Sequence, residues 1–445
     1  MDFKQSVAYL YSLGHEVLAA KFGLDGIRHL LERAGRPDRV YPSVIVAGTN
    51  GKGSVSAMLD SIARTAGRRT ALYTSPHLVR ITERIRVNGQ EISEADFARL
   101  ATNVREIAEA LVGEGRLASL PSFFEQVTAI ALSYFAETAV ELAILEVGLG
   151  GRLDSTNAVA AVLSVVTTID MDHQQILGDT ITKIAQEKAA VIKPGARAVI
   201  GRQQYEAATG VLMRRCLEAK VLPAFANEPH NVSSNETGRL AFDYESSKSV
   251  YSAVTLGLRG RHQADNAAAA IEAAETLNEL GFDISREAII KGLRAATWPG
   301  RLEWIDDRPA LLLDGAHNAG GARALRVYLD EFWRGELTMI FAVMSDKDIH
   351  AMARSLFPAA RTVVLTRVAD PRSATGARIA QAALAGANNV FFTETPQQAL
   401  SWARSVTPPD GLICIAGSLH LVGMVKRLLE EEDSQRRMLG EYRER

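Results

Sequence analysis

A short apolar run, Val44 to Val46, leads into Gly48-Thr49-Asn50-Gly51-Lys52-Gly53-Ser54, and a helical pattern begins at Val55. A strand, a glycine loop and a helix in that order constrain the fold to an α/β layout with the loop at a strand's carboxyl end. Glycines let the backbone turn its amides inward, a lysine adds a mobile positive charge, and a helix N-terminus adds the positive end of a dipole, so the three together cradle polyphosphate. The stretch is a candidate ATP site, with a plain glycine turn as the alternative. It departs from Walker A, which would need glycine at Val46 and Ser or Thr at Gly53.

A chain of 445 residues is too long for one ordinary core. At roughly 150 residues per domain it is expected to form two large domains. With 47% hydrophobic and 23% charged residues and a formal net charge of -2, nothing draws it to nucleic acid or anionic membrane, so small-molecule substrates are the default. Cys216 and Cys414 lie far apart without a CxxC partner, which supports neither a disulfide framework nor a zinc site and fits a reducing compartment. Met1 to Leu10 lacks the pattern of a secretory leader, and no apolar run approaches about 18 residues, so a cytoplasmic protein is expected.

Strand-like runs at Ser43 to Val46, Thr70 to Tyr73, Leu142 to Val147, Ala161 to Thr168 and Ala196 to Ile200 alternate with helical patterns, as buried parallel strands do. Asn227 to Thr255 reads as an exposed β-meander or insertion, and Ala264 to Leu280 as an alanine-rich helix. Thr297-Trp298-Pro299-Gly300-Arg301 breaks the pattern, so the domains are drawn as 1–297 and 298–445. Beyond the break, strands at 311–313, 338–343, 362–365, 390–392 and 412–415 alternate with helices at 322–332, 349–357, 376–385, 397–405 and 421–430. The fold class is therefore α/β: an N-terminal P-loop-type ATPase domain with a mainly parallel sheet, followed by a Rossmann-like α/β domain. The charged tail from Glu430 to Arg445 is expected to be a solvated helix end, and the cleft between the domains is the expected active site.

A phosphate loop needs magnesium, and magnesium needs hard oxygen ligands. Glu146 ends the run Leu142-Ala143-Ile144-Leu145, where a carboxylate is costly unless it meets a cation or a donor. Asp170-Met171-Asp172-His173 stands at the next strand's exit, where His173 either completes a metal site or is a hydrogen-bonding loop histidine. Lys188, taken by itself, reads as a solvated helix residue. Arg80, Arg84 and Arg86 precede the turn Asn88-Gly89 and either grip an anionic substrate or form an exposed basic hairpin. Asp314-Gly315-Ala316-His317-Asn318 follows a strand, where ligands of such sheets bind, although a polar βα turn needs no ligand. Gly148-Leu149-Gly150-Gly151 superficially suggests a dinucleotide loop, but Arg152 to Asn157 is a poor helix opening for one.

Taken in order, these pieces resemble the dihydrofolate synthase/folylpolyglutamate synthase family, ATP-dependent amide ligases related to the Mur ligases. The resemblance is carried by Gly48 to Ser54, Ser75-Pro76-His77-Leu78 with Glu83-Arg84-Ile85, Leu145 to Asn157, Asp172-His173 and Glu187-Lys188-Ala189. His262-Gln263 with Asn266-Ala267, Pro299-Gly300-Arg301 and Asp314 to Asn318 extend it over nearly the whole chain. It implies that Thr49, Asn50, Gly51, Lys52, Gly53 and Ser54 hold ATP phosphates, with Asn266, Arg301 and Asp314 also on the nucleotide. It further implies that Ser75, Glu146 and His173 ligate magnesium, that a carbamylated Lys188 serves a second magnesium, and that His317 lies near the reacting groups. Folate contacts would fall on Gly23, Leu24, Asp25, Ser122, Phe123, Phe124, Glu125, Leu153, Asp154 and Ser155, with Phe123 or Phe124 stacking on a pterin. Ala190 and Arg261 depart from the family pattern, and the loop from Leu78 to Arg84 looks like that of bacterial members combining both activities.

The implied reaction joins L-glutamate to dihydropteroate or a folate through an acyl phosphate, with Lys52 and magnesium neutralising the transferring phosphoryl group. Lys52, Lys188 and His317 are the catalytic candidates, and a monomer acting on small molecules is expected. A P-loop kinase, a nucleotide-gated binding protein and another Mur-type ligase are the rivals.

Overall fold

The computed structural model describes residues 1–14, 23–383 and 389–441. The first sheet has eight strands: β1 (Ser43–Ala47), β2 (Thr70–Tyr73), β3 (Ile85–Val87), β4 (Gln90–Glu91), β5 (Leu142–Glu146), β6 (Leu163–Val166), β7 (Arg197–Ile200) and β8 (Pro223–Phe225). Their order is β4-β3-β2-β5-β1-β6-β7-β8, and all pairs from β2 to β8 are parallel. Every residue of β1 and β5 is buried, because helices cover both faces of the sheet and leave no position for a polar alternation. One face packs on helices that include Glu94–Gly113 and Phe123–Glu137, and the other on Lys52–Thr65, His262–Glu279 and Arg286–Ala295. The chain leaves β1 between β5 and β6, so the glycine loop opens into the crevice where strand order reverses.

Residues 227–255 fall in the expected β-meander, which is not an exposed insertion. They belong to an antiparallel sheet of β9 (His230–Ser234), β10 (Arg239–Glu245) and β11 (Val250–Arg259). Leu240, Phe242, Tyr244, Tyr251, Val254, Leu256 and Leu258 line its inner face and share a core with helices His262–Glu279 and Arg286–Ala295. The polar residues that suggested exposure fall in the turns around Asn235-Glu236 and Ser246 to Ser249 and on the outward positions of β10.

The second sheet comprises β12 (Glu303–Ile305), β13 (Ala310–Leu313), β14 (Leu337–Phe341), β15 (Thr362–Leu365), β16 (Asn389–Phe392) and β17 (Leu412–Ala416), ordered β12-β13-β17-β14-β15-β16. Only β12, which the sequence reading lacked, runs antiparallel to its neighbour. The strand expected at 338–343 ends at Phe341, and the last helix is longer than expected, Leu419–Glu441. The helix expected at 376–385 is Gly376–Ala383, and its last two expected residues lie outside the described residues, as do 442–445 of the expected tail. Both cysteines are free and buried. Among the described residues, no helix is long and apolar enough to cross a membrane.

Candidate active site

A cleft of about 680 Å³ opens where the carboxyl ends of both parallel sheets face each other. Its floor is the phosphate loop. Thr49 N and Asn50 N donate to Thr168 O, at 2.9 and 3.2 Å, and Thr49 Oγ1 donates to Asp170 O at 3.0 Å, so the segment after β6 fixes the loop. Lys52 opens the helix and donates to Gly48 O and Thr49 O, both at 3.1 Å. Gln263 Nε2 donates to Ser54 Oγ at 3.2 Å, and Asn266 Nδ2 to Gln263 Oε1 at 2.9 Å, which places the start of helix His262–Glu279 beside the loop.

The Walker A departure at Gly53 has a steric cause. A Cβ there would lie 2.7 Å from the Trp298 indole nitrogen. The same indole lies under the Arg86 guanidinium, 5.7 Å from the ring centroid. Gly53→Ala is therefore expected to destabilise the fold by roughly 1–3 kcal/mol, the usual range for overpacking, as measured by denaturant unfolding. Trp298→Phe in that background should recover part of the loss by removing the indole nitrogen.

Glu146, the last residue of β5, is buried and accepts from Ser75 N at 3.2 Å. Burial raises its carboxyl pKa, against the opposing effect of Lys52. Ser75 Oγ and His173 Nδ1 are buried without a hydrogen-bond partner among the described residues. These observations fit magnesium, which takes one or two carboxylates and completes its shell with water and phosphate. A dedicated protein cage is absent: among the described residues no three His, Cys, Asp or Glu cluster as a metal site.

Lys188 corrects the expectation of a solvated side chain. It is 4% exposed, and its Nζ donates to Gly48 O at 2.7 Å. Burial, then the neighbouring Lys52, brings its pKa down to about 7. His173 also enters the cleft, and burial holds its pKa down to about 4. Its Nε2 lies 3.3 Å from the Lys347 ammonium, which donates to Asp172 Oδ1 at 2.6 Å, so a cation from the C-terminal domain already sits at the Asp172–His173 pair.

Across the cleft, Asp314 accepts from Leu302 N at 2.9 Å and Ala316 N at 2.8 Å, tying the linker to the turn after β13. Arg301 lines the cleft and donates to Gly300 O at 3.1 Å. His317 Nδ1 lies 2.8 Å from Gly315 O; a carbonyl can only accept, so Nδ1 carries the hydrogen and Nε2 a lone pair. Burial, assisted by Lys347, lowers its pKa to about 4.

At the far end, Gly23, Ser122, Phe123, Phe124, Glu125, Leu153, Asp154 and Ser155 line the cleft. Leu24 and Asp25 do not: Leu24 packs against the core, while Asp25 opens a helix with its carboxylate exposed, 4.0 Å from Arg28. Phe123 is buried, stacks on Tyr11 at 5.4 Å and lies under the Arg84 guanidinium at 5.3 Å. Phe124 is the half-buried ring left to meet a flat ligand. Glu125 accepts from Ser122 N at 2.8 Å and Ile27 N at 3.1 Å, and Asp154 from the amides of Gly148, Leu149 and Thr156, so both acids hold the walls together. Of the three arginines, Arg84 lines the cleft, while Arg80 is exposed and faces Glu430.

Sequence reasoning named Asp172 at a strand's exit without giving it a role, and missed Lys347 and Trp298 as site residues. Lys347 left a weaker signal: Asp346-Lys347-Asp348 stands in the loop after β14, past residues 342–345, on the side of the sheet where ligands bind.

A profile of the Mur ligase middle domain matches residues 46–274, and one of the Mur ligase glutamate ligase domain matches residues 300–419. The chain is 34% identical over 423 residues to the dihydrofolate synthase/folylpolyglutamate synthase of Bacillus subtilis, covering 94% of this chain and 97% of that protein. Mycobacterium tuberculosis folylpolyglutamate synthase complexed with ADP superposes with a TM-score of 0.89 at 32% identity, covering 96% of this chain and 98% of that one. E. coli FolC in complex with DHPP and ADP gives 0.85 at 28% identity, covering 97% and 99%.

Proposed function

Because the chain belongs to the dihydrofolate synthase/folylpolyglutamate synthase family of Mur-type ligases, we propose that it joins L-glutamate to dihydropteroate, to reduced folates, or to both, at the expense of ATP. The observation that carries the reading is the single cleft lined at once by the phosphate loop, the Ser75–Glu146 pair and the Phe124 wall. A carboxylate oxygen of the bound substrate attacks the γ-phosphorus of ATP, ADP leaves, and an acyl phosphate forms. The glutamate nitrogen then attacks the acyl carbon, phosphate leaves, and the nitrogen gives up a proton.

Lys52 stabilises charge on the transferring phosphoryl group, with Thr49 to Ser54 cradling the phosphates and Asn266, Arg301 and Asp314 bordering the nucleotide. Ser75, Glu146 and His173 would hold magnesium, which supplies further neutralisation of phosphate charge when bound. Lys188 would carry a carbamate, an oxygen donor for a second magnesium. The lone pair on His317 Nε2 can receive a hydrogen bond from the incoming amine, but a basicity near 4 makes it a guide for the proton and not its final holder. Ser122, Phe124, Leu153 and Ser155 would border the pterin, with Gly23 at the rim. The described lining of the cleft comes from one chain, which supports a monomer, and the need for ATP supports a cytoplasmic protein.

The test is to incubate the protein with MgATP, dihydropteroate and glutamate and to look for dihydrofolate by mass, then to repeat with a reduced folate as acceptor. Amide product in either arm is expected. ATP binding without amide in both would sink the folate reading, and a stable phosphorylated acceptor would replace it with a kinase.

A further inference from the structure

Asn318 stands at the N-terminus of helix Ala319–Phe332 in the C-terminal domain and is 4% exposed. The two ends of its amide face different partners. Oδ1 accepts from Gly321 N at 2.8 Å and caps its own helix. Nδ2 has two hydrogens and two acceptors across the cleft: Asn50 Oδ1 in the phosphate loop at 2.9 Å, and Asp172 Oδ2 at 3.0 Å.

Asn50 is otherwise held by its main chain. Its N donates to Thr168 O at 3.2 Å, and its O accepts from Thr167 Oγ1 at 2.7 Å. The helix end reaches this far because the next residue but one is Gly320, where a Cβ would press on the Asp170 carboxylate and lie 2.9 Å from Asn50 Nδ2. Asp172 additionally takes Lys347, so two donors from the C-terminal domain converge on one carboxylate beside the loop.

We propose that Asn318 is a positioning residue that transmits the seating of the C-terminal domain to the phosphate loop, fixing Asn50 and hence the backbone leading to Lys52. With the domains apart, Asn50 Oδ1 and one Asp172 oxygen turn to water, and the loop keeps only the restraints of its own domain, such as Thr49 Oγ1 on Asp170 O and Gln263 on Ser54 Oγ. The loop is then fully ordered only when the cleft that excludes water from an acyl phosphate is shut. This inference rests on the ATP-site reading above.

A helix cap alone would be served as well by aspartate as by asparagine, since either oxygen accepts from the third residue's amide. Asn318→Asp keeps size and cap, removes both donors, and sets a carboxylate against Asp172. Asn318→Ser keeps a capping oxygen without added charge. Hydrogen exchange is read on the ADP-bound protein over 48–54 and 319–332. Both variants are expected to exchange faster in the loop with the helix unchanged, to lower kcat for amide formation about tenfold with a smaller effect on the KM of ATP, and to release more ADP per amide formed. Loop exchange and kcat within about twofold of wild type would leave Asn318 a helix cap only, as would faster exchange confined to 319–332. The exchange arm needs only ADP, so it decides this inference even if the wild-type protein makes no amide and the folate reading fails.

Discussion

Lys52→Ala is expected to lower the rate of glutamate-dependent ADP release by roughly a thousandfold, about 4 kcal/mol, the loss typical of removing one preorganised charge or donor from a developing oxyanion. Lys52 rests on carbonyls of its own loop, at 3.1 Å from Gly48 O and Thr49 O. Burial lowers its pKa, and Glu146 and then Asp172 oppose that shift, so the ammonium sits where added anionic charge would be most welcome. A polyphosphate brings that charge, and the transferring phosphoryl group brings more of it at the transition state, so kcat should fall further than the KM of ATP rises. Lys52→Arg should not restore the rate, because a rigid planar fork cannot occupy the space of a compact ammonium held between two loop carbonyls. The fold should survive, with thermal unfolding close to wild type, since no helix or strand depends on these two bonds. A rate for Lys52→Ala within tenfold of wild type would remove the lysine from phosphoryl transfer.

The sequence disclosed the alternation of strands and helices because buried parallel strands are short β-rich apolar runs, and β1, β5 and β13 lie within one or two residues of their expected places. It disclosed Glu146 and Asp314 for the same reason: a carboxylate at the end of such a run stands out against its neighbours. Lys188 was illegible to residue chemistry. Its helix, Ile181–Ala189, has ordinary polar neighbours, and only the fold puts its Nζ against Gly48 O. The cross-domain contacts were illegible as well, because Asn318 to Asn50 spans 268 positions and Lys347 to Asp172 spans 175, and pairings at that range come from docking two sheets. Glu125 and Asp154, expected on the folate, do line the cleft, and their bonds to backbone amides were not legible in the sequence: Ile27 N, which donates to Glu125, is 98 positions away. Arg261, a departure from the family pattern, pairs with Glu331 at 2.7 Å in the other domain, so here a sequence exception marks a domain contact.

Lys188 carries the second large effect, in which activity and stability should move in opposite directions. Carbamylation begins with a neutral amine: the nitrogen lone pair adds to the carbon of carbon dioxide, and the nitrogen gives up a proton. An ordinary lysine, with a pKa near 10.4, is neutral in roughly one molecule in a few thousand at pH 7. Lys188, with a pKa of about 7, is neutral in about half. Wild-type enzyme stripped of carbon dioxide at pH 6 should lose ligase activity and regain it on adding bicarbonate at pH 8, with a carbamate resonance from labelled bicarbonate visible by NMR in the native protein. Lys188→Met should lose on the order of a hundredfold or more in activity and ignore bicarbonate.

Stability follows the opposite sign. Between pH 7 and the ordinary lysine range the unfolded chain holds a proton on this residue that the folded chain does not, so stability rises with pH across that window and is lowest below it. Below pH 7 the folded protein must bury an ammonium whose chief contact is a carbonyl already shared with Lys52. Lys188→Met removes that burden while filling similar volume, so its unfolding midpoint at pH 6 should exceed that of wild type, and the gain should shrink as pH approaches 10. A variant that is less active and also less stable at pH 6 would mean that the lysine is a structural tie to the phosphate loop.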